Sequence, residues 1–196
     1  MNNRQSPFLR THWLVAAAAL GAVATSAGSA AALGISASVR GLYGFALGDS
    51  QQVQVNGSNG SESSDWSPYH TGLGLRAGVT LSALYLGASL DYFLAETTHV
   101  SGIEVSGGRL QFMGNLGYEF GLPLLKLRPF LGVGYAQTQL DANSGGDASK
   151  QELVLAPGGE VLLSLGGLID LSAELRYNWA PTADAVILGI GAGLSF

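Results

Sequence analysis

The chain has 196 residues, of which 47 % are hydrophobic and only 12 % charged, with 29 glycines, no cysteine and a net charge of −5. A helical protein is excluded by the glycine content, because each interior glycine costs a helix about 1 kcal/mol relative to alanine. The missing cysteines exclude a disulfide scaffold and a thiolate metal site, and the acidic balance excludes a general nucleic-acid binder, which presents a basic face.

The first element in the chain reads as an export signal. "MNNRQSPFLRTHW" holds Arg4 and Arg10 and no acid, "LVAAAALGAVA" (Leu14 to Ala24) is an apolar run, and "TSAGSAAA" supplies small residues. That three-part order is a cleaved secretory signal. It predicts a signal peptide over residues 1–32, cut somewhere after 27 to 32, and a mature domain over 33–196. Leu14 to Ala24 is too short for a membrane helix, which needs about 20 apolar residues.

From Leu33 onward the sequence alternates with period two, the strand signal. The first segment sets Leu33, Ile35, Ala37, Val39, Gly41, Tyr43, Phe45 and Leu47 against Ser36, Ser38, Arg40, Gly44 and Gly48, with Leu42 and Ala46 as exceptions. The second sets Tyr69, Leu73, Leu75, Val79 and Leu81 against His70, Gly72, Gly74, Arg76 and Thr80. The third sets Leu84, Leu86, Leu90, Tyr92 and Leu94 against Tyr85, Gly87, Ser89 and Asp91. In the fourth, Leu110, Phe112, Leu116, Tyr118 and Phe120 oppose Arg109, Gln111, Asn115 and Glu119. In the fifth, Leu127, Leu131, Val133 and Tyr135 oppose Arg128, Gly132, Gly134 and Thr138. The sixth is weakest: Leu153, Leu155, Val161 and Leu163 oppose Glu160 and Ser164, and Pro157 interrupts it. The seventh sets Ile169, Leu171, Leu175, Tyr177 and Trp179 against Asp170, Ser172, Glu174, Arg176 and Asn178. The last, "VILGIGAGLSF", sets Val186, Leu188, Ile190, Leu194 and Phe196 against Gly189, Gly191, Gly193 and Ser195. Its glycines are not a dinucleotide fingerprint, which must open a helix.

Polar connectors such as "DSQQVQVNGSNGSESSDWSP", "TTHVSGIEVSGG", "DANSGGDASKQ" and "APTAD" alternate with tight links near Ser82-Ala83, Gly121-Leu122-Pro123 and Gly166-Gly167. "NGSNGSESSD" reads as a flexible Gly/Ser tract. Long loops on one side, short turns on the other and eight strands with an apolar band predict an all-β, eight-stranded antiparallel up-and-down transmembrane β-barrel. The rival is a soluble lipocalin-like barrel, whose enclosed face is apolar. The charge-bearing face decides between them. It carries Arg40, Arg76, Arg109, Arg128 and Arg176 matched by Asp91, Glu119, Glu160, Asp170 and Glu174, among Gly, Ser, Thr and Asn. Such a face predicts a neutralised lumen closed by an ionic network. The apolar face carries aromatics near its ends, as membrane girdles do: Tyr43, Phe45, Tyr69, Tyr92, Tyr135 and Trp179 toward the long loops, Tyr118, Phe120 and Phe196 toward the turns.

The signal peptide, "LRPFLGVGYA" (Leu127 to Ala136), "LSAELRYNW" (Leu171 to Trp179) and the terminal Phe196 give the chain its resemblance. It resembles the small outer-membrane β-barrels of Gram-negative bacteria, the OmpA transmembrane domain and OmpX-like proteins. The resemblance covers nearly the whole mature chain and implies residence in the bacterial outer membrane amid lipid and lipopolysaccharide. It also implies that the barrel-assembly machinery reads the last strand through Phe196. A monomer with a structural or surface-interaction role is expected, with no cofactor, no metal site and no catalytic residue. A narrow pore or transport barrel is the alternative, and a lipid A-modifying enzyme the third reading. For the last, Ser89 with His70 is the pair available, but no deacylase-type His-centred motif accompanies it. Glu160 and Glu174 flank one turn and are expected to face each other with Arg76, Arg40 or Arg176 between them. Finally, Asp49, Glu62, Asp65, Glu96, Glu104, Asp141, Asp147, Glu152 and Asp184, against Lys150 alone, predict an acidic outer rim that associates weakly with Ca²⁺ or Mg²⁺.

Overall fold

The computed structural model describes residues 33–47, 51–57, 60–100, 103–122, 124–142, 146–181 and 183–196. The expected signal peptide, and Asp49 of the expected rim, lie outside the described residues, as do the rim side chains of Glu62, Asp65, Glu96, Glu104, Asp141 and Asp147. In chain order the strands are β1 (Leu33–Leu47), β2 (Gln51–Gly57), β3 (Gly60–Trp66), β4 (Thr71–Leu81), β5 (Leu84–Val100) and β6 (Ile103–Tyr118). They continue with β7 (Phe120–Gly121), β8 (Leu125–Ala142), β9 (Gly146–Leu165), β10 (Ile169–Asn178) and β11 (Asp184–Ser195).

Eight of these form the wall, in the ring order β1-β4-β5-β6-β8-β9-β10-β11, and β11 pairs back onto β1. Every pairing is antiparallel, and each wall strand lies beside its sequence neighbours. This is a closed, eight-stranded up-and-down barrel. Closure leaves no edge in the wall, so every backbone group there can find a partner without water.

Facing follows the two-residue period. Val39, Leu73, Phe112, Leu131, Leu153, Leu175 and Ile190 are exposed on the outside, whereas Arg40, Arg76, Asp91, Arg109, Glu160, Glu174 and Arg176 are buried inside. An apolar exterior around a charged interior is the inverse of a soluble ligand-binding barrel. The outer face suits lipid and would be unstable in water. Tyr69 is a correction: expected in the lipid-facing girdle, it is fully buried. It precedes β4, so the strand's alternation does not reach it, and it packs edge-on against Phe93 with ring centroids 5.2 Å apart.

The glycines of β11 face the lumen at places where a side chain has no room. A Cβ at Gly191 would lie 2.6 Å from the Val39 carbonyl oxygen and 2.7 Å from Arg40 Cγ, while Gly41, facing lipid, has only a backbone oxygen at 4.0 Å. Gly191→Ala is therefore expected to destabilise by about 1–3 kcal/mol through overpacking, with Gly41→Ala close to neutral. Urea titration of the refolded barrel, followed by its gel mobility without boiling, checks the pair.

The connectors differ from expectation in two ways. Most of the first polar tract forms the β2–β3 hairpin, paired from Gln51↔Trp66 to Gly57↔Gly60, rather than a structureless linker. In addition, β5, β6, β8 and β9 run far into the polar stretches, so that β9 reaches 20 residues. Pro157 does not end β9. It stays on the lipid face opposite Leu131, and the ladder to β10 resumes where Leu155 and Trp179 exchange backbone hydrogen bonds of 3.0 and 2.8 Å. On the short-turn side, Gly166 and Gly167 adopt φ of 63° and 80°, a left-handed backbone that glycine accepts without steric cost.

Candidate functional site

Alternation sends the side chains of all eight strands into one narrow lumen, where they stack in layers. At the short-turn end lies a cavity of about 250 Å³ lined by Ser36, Thr80, Ser82, Glu119, Lys126, Arg128 and Asp170, among others. Below the middle of the barrel it tapers to a recess of about 10 Å³ bounded by Arg76, Arg128, Glu160 and Asp170, room for about one water.

Beyond the recess the lumen is filled by charge. Arg128 holds Glu119 at 2.5 Å and Glu160 at 2.9 Å, and its guanidinium lies 3.9 Å from the centre of the Tyr85 ring. Arg76 reaches Glu160 at 3.1 Å and Glu174 at 2.9 Å, and sits over the Phe130 ring. Glu174 is also bound by Arg40 and, at 3.2 Å, by Arg176; both of these arginines bind Asp91 at 2.7 Å, one on each oxygen. In a ring of eight, strands four places apart face each other across the full diameter. Arg76 on β4 and Glu160 on β9 are such a pair, and so are Asp91 on β5 and Arg176 on β10. Two ionic bridges therefore cross the lumen from wall to wall.

Asn115 donates to Ser89, the cross-strand partner of Arg76, at 3.2 Å beside this network, and on its long-loop side Asn178 donates to Gln111 at 3.1 Å. Toward the long loops, Arg109 pairs with Glu152, donates to Thr138 at 3.1 Å and stacks over the Tyr69 ring at 4.6 Å. An apolar cluster of Leu42, Tyr69, Phe93, Ala185 and Ile187 packs there, and Asp184 ties the last connector by accepting from Tyr177 Oη at 2.7 Å and the Ala180 amide at 3.2 Å.

Nine of the ten expected lumen charges are thus in ion pairs, and Arg76 does stand between Glu160 and Glu174, which are direct cross-strand neighbours. Asp170 departs from the expectation. It points inward but bonds Ser164 Oγ at 2.6 Å, with no cation partner among the described residues. Glu152 departs in the other direction: assigned to the acidic rim, it is buried against Arg109. Its parity held the signal, because Leu153 and Leu155 facing out place Glu152 in phase with Glu160. Lys126, 3.5 Å from Glu119, was missed as well. The Ser89 and His70 pair is not brought together. Ser89 lies opposite Arg76, six residues along β4 from His70, or about 20 Å at the rise of a strand.

Among the described residues no group of three or more His, Cys, Asp or Glu could hold a metal ion. The family model of the outer membrane protein β-barrel domain matches residues 14–196. The chain belongs to the outer-membrane β-barrel family. Its place is accordingly the outer membrane, with the apolar wall in lipid. No curated protein matches the sequence. Among solved structures, this outer-membrane barrel is similar to Ail, the attachment invasion locus protein of Yersinia pestis, at 14 % identity and a TM-score of 0.53, covering 84 % of this chain and 97 % of that one. Neisserial surface protein A is 16 % identical with a TM-score of 0.50, over 85 % and 98 % of the two chains. A major outer membrane protein from Thermus thermophilus is 13 % identical with a TM-score of 0.54, over 83 % and 99 %. At these identities the likeness concerns the fold.

Proposed function

We propose that this outer-membrane barrel is a non-conducting surface protein whose interior serves as a core and whose working part is its long-loop face. The pair of ionic bridges spanning the lumen carries this reading, because two bridges of buried side chains across the full diameter obstruct the route that water and ions would take. The outer face supports it too. A transmembrane strand needs about 9–11 residues, so β9 with 20, β8 with 18 and β5 with 17 have residues to spare. Their ladders continue through the surplus, to Val100↔Ile103 between β5 and β6 and to Ala142↔Gly146 between β8 and β9. They raise paired β-structure above the membrane on one side, and the β2–β3 hairpin adds a separate two-stranded sheet, together a surface for contact outside the cell.

The same reading makes the protein a monomer without cofactor or catalytic centre, exported by a cleaved signal peptide. Lipopolysaccharide surrounds the long-loop end, and the closing strand with Phe196 is the segment offered to the assembly machinery. Conductance across a planar bilayer tests the proposal. The refolded protein is expected to give no steady open-channel current, and a large persistent current would favour the pore reading instead.

A further inference from the structure

Among the described lumen charges, Asp170 alone has no opposite charge in contact. It is only 5 % exposed, and its carboxylate accepts a single side-chain hydrogen bond, from Ser164 Oγ. A carboxylate taken out of water is unfavourable unless a cation or a full set of donors meets it, and this one lines the 250 Å³ cavity at the short-turn mouth. The other charges of that cavity are already engaged. Glu119 is held by Arg128 and Lys126, and Arg128 is shared with Glu160. What remains open is one anion beside a set of hydroxyls, those of Ser36, Thr80, Ser82 and Ser195.

We propose that this vestibule binds a small primary ammonium compound from the periplasm, its nitrogen seated on Asp170. An ammonium group carries three donors and no acceptor, which matches one carboxylate with hydroxyl acceptors around it. A divalent metal fits poorly: Mg²⁺ and Ca²⁺ require six or more oxygens in a defined shell, and here a single free carboxylate shares its cavity with Lys126 and Arg128. Size sets a second limit. A cavity of about 250 Å³ admits a small molecule and excludes a folded partner. Short turns face the periplasm in barrels of this class, which places the ligand on that side.

The test is a titration of the ¹⁵N-labelled protein in phosphatidylcholine nanodiscs, whose lipid offers no primary amine, with ethylammonium chloride against a sodium chloride blank. Saturable amide shifts confined to Asp170, Ser164, Ser195 and their neighbours are expected. They weaken by about tenfold or more in Asp170→Asn, which keeps the shape and removes the charge. Lys126→Gln is expected to leave binding intact or to strengthen it, by removing a like charge. Tetraethylammonium, with no N–H donor, and acetate should produce no such shifts. Absence of saturation, or an unchanged response in Asp170→Asn, would overturn the proposal. Should Asp170→Asn fail to fold, the wild type still decides, because equal responses to ethylammonium and tetraethylammonium exclude an ammonium site.

Discussion

Glu174→Gln is expected to destabilise the barrel by about 3–5 kcal/mol, the range for removing one partner of a buried ionic network. Three guanidiniums converge on this carboxylate, those of Arg40, Arg76 and Arg176. Without it they must share Asp91 and Glu160, and Glu160 is already divided with Arg128. The amide keeps the shape, so the loss reports charge and not a cavity. Combining Glu174→Gln with Arg40→Met removes charges in balance, and the double variant is expected to recover part of the loss. Urea titration of all four proteins in the same bilayer closes the cycle. Strict additivity of the two single changes would mean that the network does not act as one unit.

Leu131→Arg is expected to lose about 2–4 kcal/mol, as a guanidinium near the bilayer midplane does on a barrel exterior. Leu131 lies on the lipid face of β8, between Leu116 on β6 and Pro157 on β9, and is 44 % exposed. The neighbouring Gly132 points into the lumen, where a Cβ would come within 2.9 Å of Asn115 Oδ1. Its enlargement should hurt by crowding, with no dependence on charge. The paired measurement is the refolding yield and urea midpoint of Leu131→Arg, Leu131→Gln and Gly132→Leu. Unchanged stability in Leu131→Arg would reverse the assignment of inside and outside.

The architecture, and the facing of nearly every wall residue, were legible in the chain alone. Both depend on a period of two, which is local. Once Arg40 faces inward, Val39 and Gly41 must face out, and the same holds from Leu73 to Leu194. Pro157 shows how firmly the period holds, since β9 keeps its phase through a residue that lacks an amide proton. Which inward charges meet is a matter of the closed fold. Arg76 and Glu160 are 84 positions apart, and their contact depends on ring closure and stagger, which place β4 opposite β9. The same geometry leaves Asp170 below the network, beside Ser164, and draws Glu152 down from the rim to Arg109. Tyr69 turned inward because it precedes its strand, where the pleat no longer dictates direction. A two-residue period tells a side chain which face it is on. Its height in the lumen, and the partner it finds across it, belong to the closed barrel.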